Sequence, residues 1–393
     1  MVTYPYESDA KLSVIKKQFT RVAGTAITAG EMGRINSPTG AITIFAGGST
    51  VAKASAQQLT NVNIITSPVV IVQSRGIIDF LYSEKPCTFK NEMWGYVSDG
   101  RNDIKFLYYY LKHHVAYFKN AGDGRSSFPQ ISLSVTEDFP FPLINVDEQQ
   151  AISDTLSTFD EHIENLTKLI EKKKAIRDGA LGDLVKGQTR LDGFEEEWEI
   201  CKLEMLTKQI ITGGTPSTSV DKYWGGTIPW LSSTEIHQKK IVNPTSYITE
   251  SGLKNSSARM APPCSVIVAL AGQGKTRGTV AVLESKMSLN QSLAAMVANE
   301  NTDFMFLYYA LEDGYEALRE LSSGDGGRGG LNKKILRDFE VKVPPCKAEQ
   351  QAIASILTAM DDEINSLEQE RNKIAQLKEG AMNDLLTGRV RLV

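Results

Sequence analysis

The pentapeptide Glu148-Gln149-Gln150-Ala151-Ile152 returns 201 positions later as Glu349-Gln350-Gln351-Ala352-Ile353. From Glu148 to Leu191 the match onto Glu349–Leu392 runs without a gap, and 17 of the 44 positions are identical. A repeat whose period is half the chain marks a duplicated pair of domains, not a solenoid of short units. Whatever one half folds into, the other half is built to fold into as well.

Both repeated segments predict long helices. In the first, Ile152, Leu156, Phe159, Ile163, Leu166 and Ile170 advance by alternating steps of four and three. In the second, Ile353, Leu357, Met360, Ile364 and Leu367 advance in the same way, with Ile374 one heptad beyond Leu367. That 3.5-residue period is an a/d seam, which favours helices that supercoil about one another. Neither segment contains proline, and each closes near a glycine, Gly187 or Gly388, a common helix stop. About 38 residues at 1.5 Å each give a rod of roughly 55–60 Å. With the same seam twice in one chain, pairing of the two helices as an antiparallel coiled coil is the expected solution.

The chain then divides into a first globular domain (1–145), a helix (146–190), a hinge (191–198), a second globular domain (199–345) and a second helix (346–393). Strand-like runs at Ala41–Phe45, Val69–Val72, Ser265–Ala269 and Thr279–Leu283 are rich in β-branched residues. The expected class is α+β: two mixed α/β domains in a pseudo-two-fold arrangement, each followed by a long helix. The globular segments keep traces of the duplication. Phe106–Leu111 matches Phe306–Leu311, Asp138-Phe139 matches Asp338-Phe339, and Gly122–Arg125 resembles Gly324–Arg328. Elsewhere they diverge.

Composition narrows the function classes. With 41% hydrophobic and 23% charged residues, the chain is ordinarily globular. Its four cysteines (Cys87, Cys201, Cys264, Cys346) form no CxxC pair and its four histidines no metal pattern. No apolar run reaches membrane-spanning length, and a reducing, cytoplasmic setting fits. The net charge of −4 is unevenly spread: 146–198 carries −6 and 346–393 carries −2, against +3 for 1–145 and +1 for 199–345. A nucleic-acid footprint would therefore lie on the globular segments. Duplication with matched helices and diverged heads suits a two-fold object such as DNA, whose half-sites mirror their reader.

Several motifs carry a resemblance. Gly213-Gly214-Thr215-Pro216-Ser217 is followed by Tyr223-Trp224 and by Ile228-Pro229-Trp230-Leu231. Leu289-Asn290-Gln291-Ser292, then Pro344-Pro345 before Glu349–Ile353, and finally Leu385-Leu386-Thr387-Gly388 complete the order. The chain resembles the specificity subunit of a type I restriction-modification system, with two target-recognition domains each followed by a conserved spacer helix. The first half departs by lacking the Gly-Thr-Pro opening, with Thr43–Ser49 as its nearest counterpart. The resemblance implies a chain without a catalytic site that reads an asymmetric bipartite site on double-stranded DNA, one domain per half. It also implies two methyltransferase (modification) subunits as partners, docked on the paired helices that carry the seam from Ile152 to Ile170 and from Ile353 to Ile374, and, through them, restriction/translocase subunits, with no role for a membrane. S-adenosylmethionine, ATP and Mg would belong to those partners, and no cofactor to this chain.

Candidate DNA contacts in the first half are Ser49, Lys53, Arg75, Lys90, Asn91 and Arg125. In the second they are Thr215, Ser217, Lys222, Tyr223, Trp230, Gln273, Lys275, Arg277, Gln291 and Arg328. Arginines suit phosphate or guanine because the guanidinium presents paired donors. Gly272-Gln273-Gly274-Lys275-Thr276 looks like a phosphate-binding loop, but position 269, where that motif needs its first glycine, is Ala269. A Gly-rich turn whose backbone approaches DNA is the better reading. No Asn/Asp-Pro-Pro-aromatic motif for methylating a flipped base is present. A self-contained methyltransferase, a nucleotide hydrolase and a coiled-coil scaffold without DNA reading are the competing classes.

Overall fold

The computed structural model describes residues 10–122, 128–272, 275–322 and 330–392. The chain forms two compact units. The first joins the residues up to Lys168 with those from Glu368 onward, and the second spans Leu169–Leu367. The boundary falls inside both long helices, Val146–Val185 and Lys347–Leu385, here called the first and second arms. Each unit therefore contains one globular head, the front of that head's own arm and the back of the other arm.

In the first head, Thr20–Ala23, Trp94–Val97, Val69–Gln73 and Asp79–Ser83 form an antiparallel sheet in that order. Val69–Gln73 is buried along its whole length, which suits its run of β-branched residues. A three-stranded sheet places Ile42–Phe45 between Val51–Ala54 and Cys87–Phe89. The helix Ile104–His113 packs Phe106, Leu107, Tyr109, Tyr110 and Leu111 into the core.

The second head enlarges the same plan. Its five-stranded sheet runs Thr207–Thr212, Leu293–Ala298, Val266–Ala269, Val280–Leu283, Lys240–Ile241. Its four-stranded sheet runs Ser246–Ile248, Trp224–Leu231, Met287–Leu289, Arg259–Ala261. The helix Phe304–Asp313 buries Phe306–Leu311.

The arms are α-helices of 40 and 39 residues. Both stop short of the expected ends, and Gly187 and Gly388 just beyond adopt left-handed φ of +63° and +74°. In each unit they run antiparallel: as the number on one arm rises, that of its partner falls. In the first unit His162 faces Glu370 and Asp160 holds Lys378. In the second, Lys173 faces Glu363 and Arg177 holds Asp361.

No predicted seam residue is exposed, so these side chains serve packing within the units and not the docking of a partner, and the seam divides its labour. Ile152, Leu156 and Phe159 pack into the first head's core together with Leu385 and Leu386 from the back of the second arm. Ile353, Leu357 and Met360 pack into the second head's core together with Leu181, Leu184 and Val185 from the back of the first. Leu166, Ile170 and Ile364 are buried in the middle stretches, whereas Ile163, Leu367 and Ile374 are half-buried.

Candidate functional site

The repeated pentapeptide builds the joint between each head and its arm. Asp103 caps the helix Ile104–His113 by accepting from the Phe106 amide at 2.6 Å. The Asp103 amide in turn donates to Gln149 Oε1 at 2.8 Å, and Gln149 Nε2 donates to the Ile144 carbonyl at 3.0 Å. In the second unit Asp303 accepts from the Phe306 amide at 2.9 Å, the Asp303 amide donates to Gln350 Oε1 at 2.8 Å, and Gln350 Nε2 donates to the Pro344 carbonyl at 2.9 Å. Both glutamines are buried, so these polar groups need their partners.

The neighbouring glutamates receive the back of the opposite arm. Arg190 grips Glu349 with two hydrogen bonds of 2.8 and 3.1 Å, and the Trp198 indole adds a third at 3.2 Å. Arg391 grips Glu148 in the same two-pronged way. Twelve residues further along the arm, Tyr109 donates to Asp160 at 2.7 Å, and Lys378 binds that carboxylate while lying 5.5 Å over the tyrosine ring. Its counterpart has Tyr309 donating to Asp361 at 3.0 Å, with Arg177 bonded to Asp361 and 5.6 Å over the ring. Arg177 also donates to Glu312, and Lys239 reaches Asp361 at 3.1 Å. Burial opposes the Arg177 charge, but Glu312 and Asp361 outweigh it and raise its pKa. Burial likewise pushes the Asp361 carboxyl up, yet Lys239 and Arg177 hold it below its usual range.

These arm residues were not among the sequence candidates. Their signal was present: Asp160/Asp361, Arg177/Lys378 and Arg190/Arg391 all occupy matching places in the repeat.

Three loops of the first head adjoin. The buried Gln73 side chain donates to the Gly48 carbonyl at 2.6 Å, and Ser74 Oγ donates to the Glu92 carbonyl at 2.7 Å. Ser49, Arg75 and Asn91 stand exposed on this rim. Lys90 is half-buried and paired with Glu92 at 2.8 Å, and Lys53 is exposed on the strand Val51–Ala54.

The second head makes an equivalent rim with different side chains. The Leu331 amide donates to the Leu270 carbonyl at 2.9 Å, as Ile131 does to Ser74 at 2.9 Å. The Leu270 amide donates to the Ser292 carbonyl at 2.8 Å, which brings the stretch after Ala269 beside Gln291. Thr215 Oγ1 donates to Gln291 Oε1 at 2.5 Å, and both residues are exposed. Gly213 and Gly214 are required here: a Cβ on Gly213 would fall 1.8 Å from the Leu289 carbonyl oxygen, and one on Gly214 would fall 2.0 Å from Ser257 Oγ.

Trp230 leaves the exposed set. It is buried, and its indole donates to the Gly214 carbonyl at 3.1 Å, which fixes the turn. Arg277 is half-buried and donates to Ser322 Oγ at 3.0 Å, whereas Lys275 beside it is exposed. Ser217, Lys222 and the half-buried Tyr223 belong to a separate corner, held by Thr249 Oγ1 donating to the Lys222 carbonyl at 2.8 Å. Arg125, Gln273 and Arg328 lie outside the described residues. Among the described residues no group of three or more His, Cys, Asp or Glu side chains could hold a metal ion, and no helix is long and apolar enough to cross a membrane.

The sequence matches the type I restriction modification DNA specificity domain twice, over residues 19–174 and 195–378. It is 25% identical over 294 residues to the type I restriction enzyme EcoR124I/EcoR124II specificity subunit of Escherichia coli, covering 74% of this chain and 70% of that protein. It is 24% identical over 316 residues to the MjaVIII specificity subunit of Methanocaldococcus jannaschii, covering 74% and 71%. The fold is shared with the crystal structure of a type I restriction-modification S subunit from M. genitalium, at TM-score 0.69 and 18% identity over 98% of this chain and 99% of that one.

Proposed function

This chain belongs to the type I restriction-modification DNA specificity family, and we propose that it reads an asymmetric bipartite DNA sequence, one half-site per head, while its arms dock two methyltransferase subunits. One observation carries this reading. The Asp103–Gln149 and Asp303–Gln350 bonds that mount each head on its arm repeat in both units, whereas the rims differ: Ser49, Arg75 and Asn91 on one, Thr215, Lys275 and Gln291 on the other. A constant mount with variable faces is what an asymmetric two-part reader needs. Phosphate contacts supply affinity and base contacts supply sequence, so the differing rims are the expected place for the second.

The chemistry would reside in the partners. The methyltransferase subunits would bring S-adenosylmethionine, and restriction/translocase subunits would bring ATP and Mg. For the docking surface, Ile176 and Leu377 occupy matching places in the repeat and are 50% and 51% exposed on the arms. Three residues on, Gly179 and Gly380 leave open space beside them. An apolar knob beside a notch, once per unit, suits two copies of one partner.

The test is the assembled complex. Sequencing of methylated adenines should give a two-part motif. Asn91→Ala should relax one half of that motif and Gln291→Ala the other, each at about 1–3 kcal/mol for a lost base contact. A continuous motif, or both variants relaxing the same half, would count against the reading. Ile176→Glu with Leu377→Glu should abolish methyltransferase binding with little change in the melting of the chain, since exposed substitutions cost under about 0.5 kcal/mol.

A further inference from the structure

We infer that the last residue of each head helix, His113 in the first head and Asp313 in the second, selects which arm end the head accepts. The two halves of this chain then pair with each other in preference to copies of themselves. The inference rests on the packing of arms against heads and is independent of DNA reading.

In the second unit the arriving arm end presents two cations to the head helix. It brings Arg177, bonded to Glu312, and Lys186, whose ammonium lies 2.9 Å from Asp313 Oδ1. Head and arm are matched by charge at two successive places.

In the first unit both head positions change. Position 112 carries a lysine, held by Asp79 at 2.7 Å, and position 113 a histidine. The arriving arm end changes with them. Lys378 stands where Arg177 does and binds Asp160 of the other arm, and Thr387 stands where Lys186 does. Lys112 and His113 face a recess of about 590 Å³ whose other wall includes Glu379, Met382 and Asn383. An acidic residue and polar groups, not a row of cations, face the lysine.

Exchanging the arm ends shows what the pattern selects. The first arm's own end on the first head would bring Arg177 to Lys112 instead of Glu312, and Lys186 to His113 instead of Asp313. At position 112 this changes little, because Lys378 already places a cation there; at position 113 the Lys186–Asp313 attraction is lost. The second arm's end on the second head would lose the same contact: Lys378 could still meet Glu312, but Asp313 would face Thr387. Specificity built on penalties against the wrong partner is a general device. Here it rests on the Lys186–Asp313 contact, which self-pairing of either half gives up.

A protease site placed within the exposed stretch 195–197 allows the folded chain to be cut between its halves. The cut protein is unfolded in urea, refolded as a mixture of differently tagged copies, and its pairs are counted by native mass spectrometry. First-with-second pairs should exceed first-with-first pairs by about two- to fivefold beyond the random ratio, the order of one partly exposed ion pair lost. His113→Asp should raise first-with-first pairs by about the same factor. A near-random mixture, or a mixture that this change leaves unaltered, would overturn the inference. Should the cut halves form no pairs at all, the intact chain decides. Lys186→Asp and Asp313→Lys should each lower the melting temperature and together restore it. Purely additive losses would overturn the inference just as firmly.

Discussion

Arg190→Met should loosen the second unit more than the matching Arg391→Met loosens the first. Glu349 is only 1% exposed and Arg190 31%, whereas Glu148 is 8% and Arg391 45% exposed. Removing one partner of a fully buried ion pair costs about 3–5 kcal/mol, because the remaining charge is left without compensation. Two features reduce that figure for Glu349: the Trp198 indole still donates at 3.2 Å, and the vacated arginine site admits water. A loss of about 2–3 kcal/mol follows, or roughly 5–10 °C for a unit of this size. Arg391, nearly half in solvent, should cost about 1 kcal/mol. Differential scanning calorimetry of the intact chain measures both. Arg190→Met with Glu349→Leu should recover most of the loss, since apolar replacement of a buried pair is often neutral. Equal shifts for the two arginines, or a larger one for Arg391, would refute the weighting by burial.

Two further outcomes can be checked independently. Gly213→Ala should lower the melting temperature of the second unit sharply, because the new methyl meets the Leu289 carbonyl oxygen at 1.8 Å and that backbone cannot withdraw; an unchanged melt would show that the turn yields. Burial pushes the His114 pKa down from its usual 6.5 to about 4. The unfolded chain takes up this proton first as pH falls, so the stability tied to neutral His114 is present above about 6.5 and lost on the way to about 4. His114→Gln should flatten the pH dependence of melting across that window by up to about 3 kcal/mol, and equal slopes in the two proteins would contradict it.

Period and propensity made much of this fold readable. The heptad seam predicted both arms, and the β-branched runs predicted strands observed at Ile42–Phe45, Val69–Gln73, Val266–Ala269 and Val280–Leu283. The seam could not reveal what each part of it would touch. Leu156 and Leu166 read alike in sequence, yet Leu156 belongs to a head core. Charge partners such as Arg177 and Glu312 lie 135 positions apart, beyond any local pattern. Trp230 shows a similar limit. An indole can stack on a base or close a core, and only the nearby Gly214 carbonyl decides. The rims were legible as residue types but not as surfaces, because the buried Gln73 that draws two loops together carries no sequence signature.

The exchange of arms also sets an order of events during synthesis. Leu385 and Leu386, which close the first head's core, leave the ribosome more than two hundred residues after Ile152 and Leu156, beside which they pack. At about 5–20 residues per second that is a wait of roughly 10–40 s. Throughout it the first head displays an apolar seat with nothing on it. The second head waits far less, since Leu181, Leu184 and Val185 precede it in the chain. Of the two heads, the one made earlier is thus the one finished later, and it is the stickier of the two while the chain is being made.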